Sequence, residues 1–130
     1  VKGLSIRQPW ATLIARGIKT LEVRSRRTLY RGPLLIVASR SGEISPDGRD
    51  AAHRMKINAD RLPRGIALAI VTLIGCRRMI PEDAERACCA FEPGAYVWVM
   101  FGARPVRPVR VLGKLGIFDI DFESRLESVK

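Results

Sequence analysis

Leu4-Ser5-Ile6-Arg7-Gln8-Pro9-Trp10 and, seven residues further on, Gly17-Ile18-Lys19-Thr20-Leu21-Glu22-Val23-Arg24 decide how this chain folds. The first stretch alternates, with Leu4 and Ile6 on one side and Ser5 and Arg7 on the other, which predicts a short strand over residues 3–7. Pro9 then stands where a helix begins and Gly17 just past where one ends, so the spacing predicts a helix over residues 9–16. Trp10, Leu13 and Ile14 recur at i, i+3 and i+4 and give that helix a face to bury. Residues 19–26 return as a strand. Its parity sends Leu21 and Val23 one way and Thr20, Glu22 and Arg24 the other, same-side neighbours lying about 7 Å apart. Lys19 stands at the mouth of this strand, where it can reach the polar face.

That face is chemically unusual. Between Arg16 and Arg31, Glu22 is the only acid among six basic residues. A lone carboxylate among cations either organises them through salt bridges or serves as a catalytic group.

Working outward, residues 34–39 form a continuous apolar run and read as a buried strand after the break at Arg31-Gly32-Pro33. Ser45 caps a polar helix over residues 45–58. Pro63-Arg64-Gly65 makes a turn into a long strand over residues 66–77. A short helix over residues 80–90 opens on Pro81, Glu82 and Asp83. A strand follows over residues 95–101, then a Pro/Arg-alternating connector over 104–110. The last strand covers residues 111–120, with Gly113 and Gly116 allowing a bend. Strands outnumber helices and are joined by short insertions. The expected fold is α+β, a small, mostly antiparallel β-barrel with short helices at its mouth. The domain is expected to cover residues 1–122, with a charged tail over 123–130.

The chain has 130 residues, 47% hydrophobic and 28% charged, enough for one domain with one core. Its formal net charge is +10. Residues 1–65 carry 14 Lys/Arg against 5 Asp/Glu, while residues 66–130 carry 9 against 8. An excess concentrated in one half points to a basic face, and nucleic acid is the first partner to consider. A proteome rich in Arg would give part of the same bias. An anionic membrane surface lacks the amphipathic basic helix it would need, and the apolar run over residues 66–76 is well short of the roughly 20 residues that span a bilayer. No signal peptide is read at the N-terminus. Cys76, Cys88 and Cys89 are odd in number and form no C-x-x-C, which argues for a reducing, cytoplasmic setting rather than a disulfide framework. With His53 the single histidine, no metal site and no cofactor is expected.

Taken together, residues 4–11, Gly17-Ile18-Lys19, Glu22, Arg24 and residues 30–39 resemble the ASCH domain, named for activating signal cointegrator homology. Leu62-Pro63-Arg64-Gly65, Tyr96-Val97-Trp98 and residues 111–118 fit the same pattern, so the resemblance covers nearly the whole chain. It implies a fold similar to PUA domains, which recognise RNA with a β-barrel, and a cleft that gathers Lys19, Glu22 and Arg24. Family members are mostly described as nucleic-acid-binding modules. One branch hydrolyses N4-acetylcytidine with a lysine, a threonine and a glutamate, and another is reported as a single-strand ribonuclease. The amidohydrolase branch has threonine where this chain has Glu22, which leaves Thr20 as the hydroxyl on offer. Many members have histidine where this chain has Val37, so a convenient general base is missing.

The candidate catalytic residues, should the protein be an enzyme, are therefore Lys19, Glu22 and Thr20. As binding residues, Lys19 and Arg24 offer cations to a phosphate or base edge, with Glu22 holding them in position. Arg7 and Gln8 flank the helix start, where Gln8 either reads a base or caps the helix. Trp10 is either a stacking platform for an unpaired base or part of the core. Ser39 ends the buried strand and can line the cleft. Arg26, Arg27, Arg31 and Arg40 form an outer basic rim that would lend salt-dependent affinity. Three functions follow. The first is a nucleic-acid-binding module, for RNA before DNA. The second is a small hydrolase of a modified nucleoside or of single-stranded RNA. The third is a basic protein-interaction domain.

Overall fold

The computed structural model describes residues 1–120. Strands β1 (Lys2–Ile6), β2 (Leu21–Arg24), β3 (Gly32–Ala38), β4 (Ala67–Arg78), β5 (Tyr96–Pro105) and β6 (Ile117–Asp119) are interspersed with helices α1 (Trp10–Ala15) after β1, α2 (Pro46–Arg54) after β3 and α3 (Ala84–Ala87) after β4. Among the described residues these six strands make one sheet in the order β2-β5-β4-β3-β1-β6. All neighbouring pairs are antiparallel except β1 and β3, which run parallel with Leu4 opposite Ile36. A parallel pair needs a crossover connection, and α1 with β2 supplies it. Register shifts at Ile36/Val37, Ile70/Thr72 and Leu73/Gly75 bend the ladders, and the sheet curls into a half-barrel. The α+β barrel-like expectation stands, with the parallel pair as the departure from it.

β3 is apolar without alternation because both of its faces are covered. Leu34, Ile36 and Ala38 join Leu4, Ile6, Ala11, Ile14 and Trp98 on the side that α1 fills. Leu35 and Val37 pack with Ala67, Val111 and Phe118 on the other. Truncating Leu34 or Ile36 to Ala would cost about 2–5 kcal/mol. Leu13 leaves the α1 stripe for a separate cluster with Ala51 and Cys88, which seats α2.

Several boundaries move for local reasons. Pro9 caps α1 instead of opening it, and Gly17 ends the helix at φ +75, its N–H bonded to the Ile14 carbonyl. α2 begins under the predicted cap, with the Ser45 hydroxyl accepting from the Gly48 N–H. The helix expected over residues 80–90 is a 3-10 turn, Pro81–Asp83, followed by the single turn of α3, which stops at Cys88 with φ +59. β5 runs on through Pro105. The strand expected over residues 111–120 shrinks to Ile117–Asp119. Val111 bonds to Gly65 instead, and Gly113 and Gly116 let the chain between them leave the sheet. The charged tail over residues 123–130 lies outside the described residues.

Candidate nucleic-acid interface

β2 places Glu22 and Arg24 on one side of the sheet, while Leu21 and Val23 pack into the cluster with Met79, Ala87, Ala95 and Val97 on the other. The Glu22 carboxylate is buried at 8% side-chain exposure. One oxygen, Oε2, accepts from Arg24 Nε at 3.0 Å, and the other, Oε1, lies 3.9 Å from Lys19 Nζ. Arg24 also donates to the Ser5 carbonyl at 3.2 Å and lies 5.7 Å from the Trp98 ring centroid. Buried charge is tolerated where it is paired and hydrogen-bonded, and here one carboxylate serves two cations.

The two cations differ in what they have left to offer. Lys19 is only 2% exposed in its side chain. Its ammonium donates to the Ala87 carbonyl and sits 4.9 Å from the Trp10 ring centroid. Arg24 is 28% exposed in its side chain and opens onto a cleft of about 610 Å³. That volume is in the range of small-ligand sites. Arg7, Arg24 and Lys114 bring positive charge to the cleft, and Ser5, Ser39 and Ser41 bring hydroxyls. A second depression of about 390 Å³, with Lys19, Asp47, Cys89 and Phe91 in its lining, meets the first at Trp10, Glu22 and Val23. Burial pushes the thiols of Cys88 and Cys89 above their ordinary range, against the pull of Lys19, so neither is poised as a thiolate nucleophile. Among the described residues no group of three or more His, Cys, Asp or Glu could hold a metal ion.

The other predicted residues separate into groups. Arg7 and Ser39 line the cleft, and Trp10 does so while also packing in the core. Gln8 is turned inward. Its amide donates to the Pro63 carbonyl at 2.9 Å and accepts from the Thr12 N–H at 3.0 Å, so it fixes α1 rather than facing the cleft. Arg26 and Arg27 are exposed beside an adjoining hollow that shares Arg24 and Leu115 with the cleft. Arg31 is exposed at the start of β3 and bonds to the Thr28 and Tyr30 carbonyls. The length of β3, about 20 Å, separates it from Ser39, so it is not part of the cleft rim. Arg40 lines a different depression.

Thr20 also departs from expectation. β2 begins at Leu21, so strand parity does not reach back to Thr20. It lines another depression with Ile74 and Phe101, and its hydroxyl, buried and without a hydrogen-bond partner among the described residues, does not join Glu22. Reading single residues missed Ser5, Ser41 and Lys114. Their sequence signal is position: Ser5 is the penultimate residue of β1, Ser41 follows the end of β3, and Lys114 lies between the two glycines of the loop after Val111.

The curled half-barrel with short helices along it is the fold of a PUA-like domain. The chain belongs to the ASCH domain family, whose sequence profile matches residues 4–109. It is 38% identical over 80 residues to activating signal cointegrator 1 of Homo sapiens and 39% identical over the same length to that of Mus musculus, in each case over 56% of this chain. The chain spans 14% of the length of these curated relatives. Its fold is similar to the crystal structure of ASCH from Zymomonas mobilis, at TM-score 0.66 and 14% identity, over 98% of this chain and 93% of that one. A single-substitution variant of the Zymomonas protein matches at TM-score 0.60 and 16% identity, over 98% and 95%. No helix among the described residues is long and apolar enough to cross a membrane.

Proposed function

We propose that this domain binds a single-stranded nucleic acid, RNA before DNA, by accepting one nucleotide in the cleft above Glu22. The observation that carries this reading is the arrangement of charge. One buried carboxylate fixes Arg24 at the floor of a cleft whose other charges, Arg7 and Lys114, are positive. A fixed guanidinium suits bidentate contact with phosphate or a base edge. The hydroxyls of Ser5, Ser39 and Ser41 can serve a sugar or a base, and the exposed part of Trp10 offers apolar surface to a base. The family's PUA-like character supports RNA as the first ligand to test.

Titration of labelled single-stranded RNA, single-stranded DNA and duplex at several salt concentrations tests the proposal. Single strands are expected to bind best at low salt. Absence of binding at low salt, or full binding by a folded Arg24→Ala/Lys114→Ala variant, would overturn it.

A second reading rests on Lys19, which together with Glu22 contributes to the lining of the smaller depression beside Trp10. This pair could serve hydrolysis of a modified nucleoside such as N4-acetylcytidine, or of single-stranded RNA. Incubation with each substrate, followed by product analysis, decides it. Turnover by the wild type that is lost in folded Lys19→Met supports catalysis, and turnover that survives in that variant removes this pair from the mechanism.

A further inference from the structure

Across one chain's thickness from the cleft lies a second basic depression of about 470 Å³, with Arg40, Arg64 and Arg110 in its lining. The wall between the two is shared by continuity of the chain. Ser39 and Ser41 line the cleft, while Arg40 between them lines the other side. The loop after Val111 repeats this division: Val111 and Leu112 face the arginine depression, and residues 113–116 face the cleft. Ser39 and Ser41 are two residues apart, a reach of no more than about 7 Å, so the wall is a single segment wide.

The depression is built by the fold. Arg64 Nη1 donates to the Gly42 carbonyl at 2.8 Å, which ties its guanidinium to the dividing segment. Gly65 bonds through its N–H to the Ala38 carbonyl and through its carbonyl to Val111. Ile66 bridges Arg110. The stem of Arg40 lies so close to Gly65 that a Cβ there would come within 2.6 Å of Arg40 Cγ. Gly65 therefore makes the room in which Arg40 packs.

We infer that the Arg40/Arg64/Arg110 depression is a second phosphate site, which holds the backbone of the strand next to the nucleotide seated over Glu22. The inference rests on the reading of the cleft given above and narrows its ligand class. A ligand that fills both depressions is a polynucleotide strand, because a nucleoside or mononucleotide occupies the cleft alone. Phosphates are neighbours along a strand, and guanidinium groups are suited to them.

The test compares wild type, Arg64→Ala/Arg110→Ala and Arg64→Lys/Arg110→Lys, with a labelled ten-nucleotide single strand, as RNA and as DNA, and with a nucleoside monophosphate, from low to moderate salt. Loss of two phosphate contacts should flatten the plot of log affinity against log salt by about 1.4 for the strand. Mononucleotide affinity should stay unchanged, and the lysine pair should keep most of the wild-type slope. An unchanged slope in the folded alanine pair overturns the inference, as does a lysine pair that behaves like alanine. Failure of the cleft reading looks different: Arg24→Ala then leaves both ligands bound as before, whatever the arginine depression does.

Discussion

The ammonium of Lys19 is bonded to the main-chain oxygen of Ala87, 68 residues further along the chain. This bond joins the turn ahead of β2 to the last residue of α3, and the Lys19–Glu22–Arg24 row extends from it to the Ser5 carbonyl of β1. The cluster is thus a brace across three parts of the fold before it is a binding surface. Its buried members, Lys19 and Glu22, hold the structure, and the partly exposed Arg24 faces the cleft.

Lys19→Met should therefore act mainly on stability. It leaves the Ala87 carbonyl and one side of a buried carboxylate without their cation, a loss of about 3 kcal/mol. Arg24 still pairs with Glu22, so a larger loss is not expected. Urea denaturation measures it, and adding Glu22→Gln to the lysine variant should recover part of the loss.

Arg24→Ala should act mainly on binding. We expect single-strand affinity to fall at least tenfold, equivalent to about 1.4 kcal/mol, with a smaller change in urea midpoint than Lys19→Met produces. Arg24→Lys should not restore binding, because an ammonium cannot bond Glu22, Ser5 and a ligand with a planar fork. Anisotropy titration of the three proteins side by side checks both statements.

The turn that carries α3 depends on Asp83. The Arg77 guanidinium, bonded to both carboxylate oxygens at 2.8 Å, holds the Asp83 carboxyl below the usual carboxylate range against the effect of burial, and the Ile80 N–H adds to it. The folded-state value is depressed, so this stabilisation is present above the unfolded value of about 3.9 and is lost as pH falls through the folded value. Asp83→Asn should cost about 1–2 kcal/mol at pH 7, the lower part of the range for charged hydrogen bonds because Arg77 is 45% exposed in its side chain. The gap from wild type should narrow below about pH 4. Thermal unfolding from pH 7 to pH 2 follows it.

Gly65→Ala puts a side chain at φ +71 and a Cβ against Arg40. The backbone strain costs about 1–2 kcal/mol, and Arg40 must move. Strand affinity should drop while mononucleotide affinity holds, which a paired titration on the purified variant reads directly.

Local chemistry determined much of this protein. The alternation at Leu4 and Ile6, the Pro9-to-Gly17 frame of α1, the Ser45 cap and the doubly covered run of β3 were legible in the sequence. Each rests on backbone geometry or burial within a few residues. Strand parity likewise put Glu22 and Arg24 side by side. What the sequence could not contain is which distant group completes each of them. Only the tertiary structure set β1 parallel to β3, turned Gln8 toward Pro63, buried Lys19 against Ala87, sent Thr20 to another depression and parted Arg40 from the cleft to join Arg64 and Arg110. These outcomes depend on contacts between segments far apart in the chain, and the period of a strand or helix carries no information about which segment lies opposite. The basic excess was visible as a number, and the curl of the sheet decided where it is spent: on a brace, a cleft rim and a second basic depression.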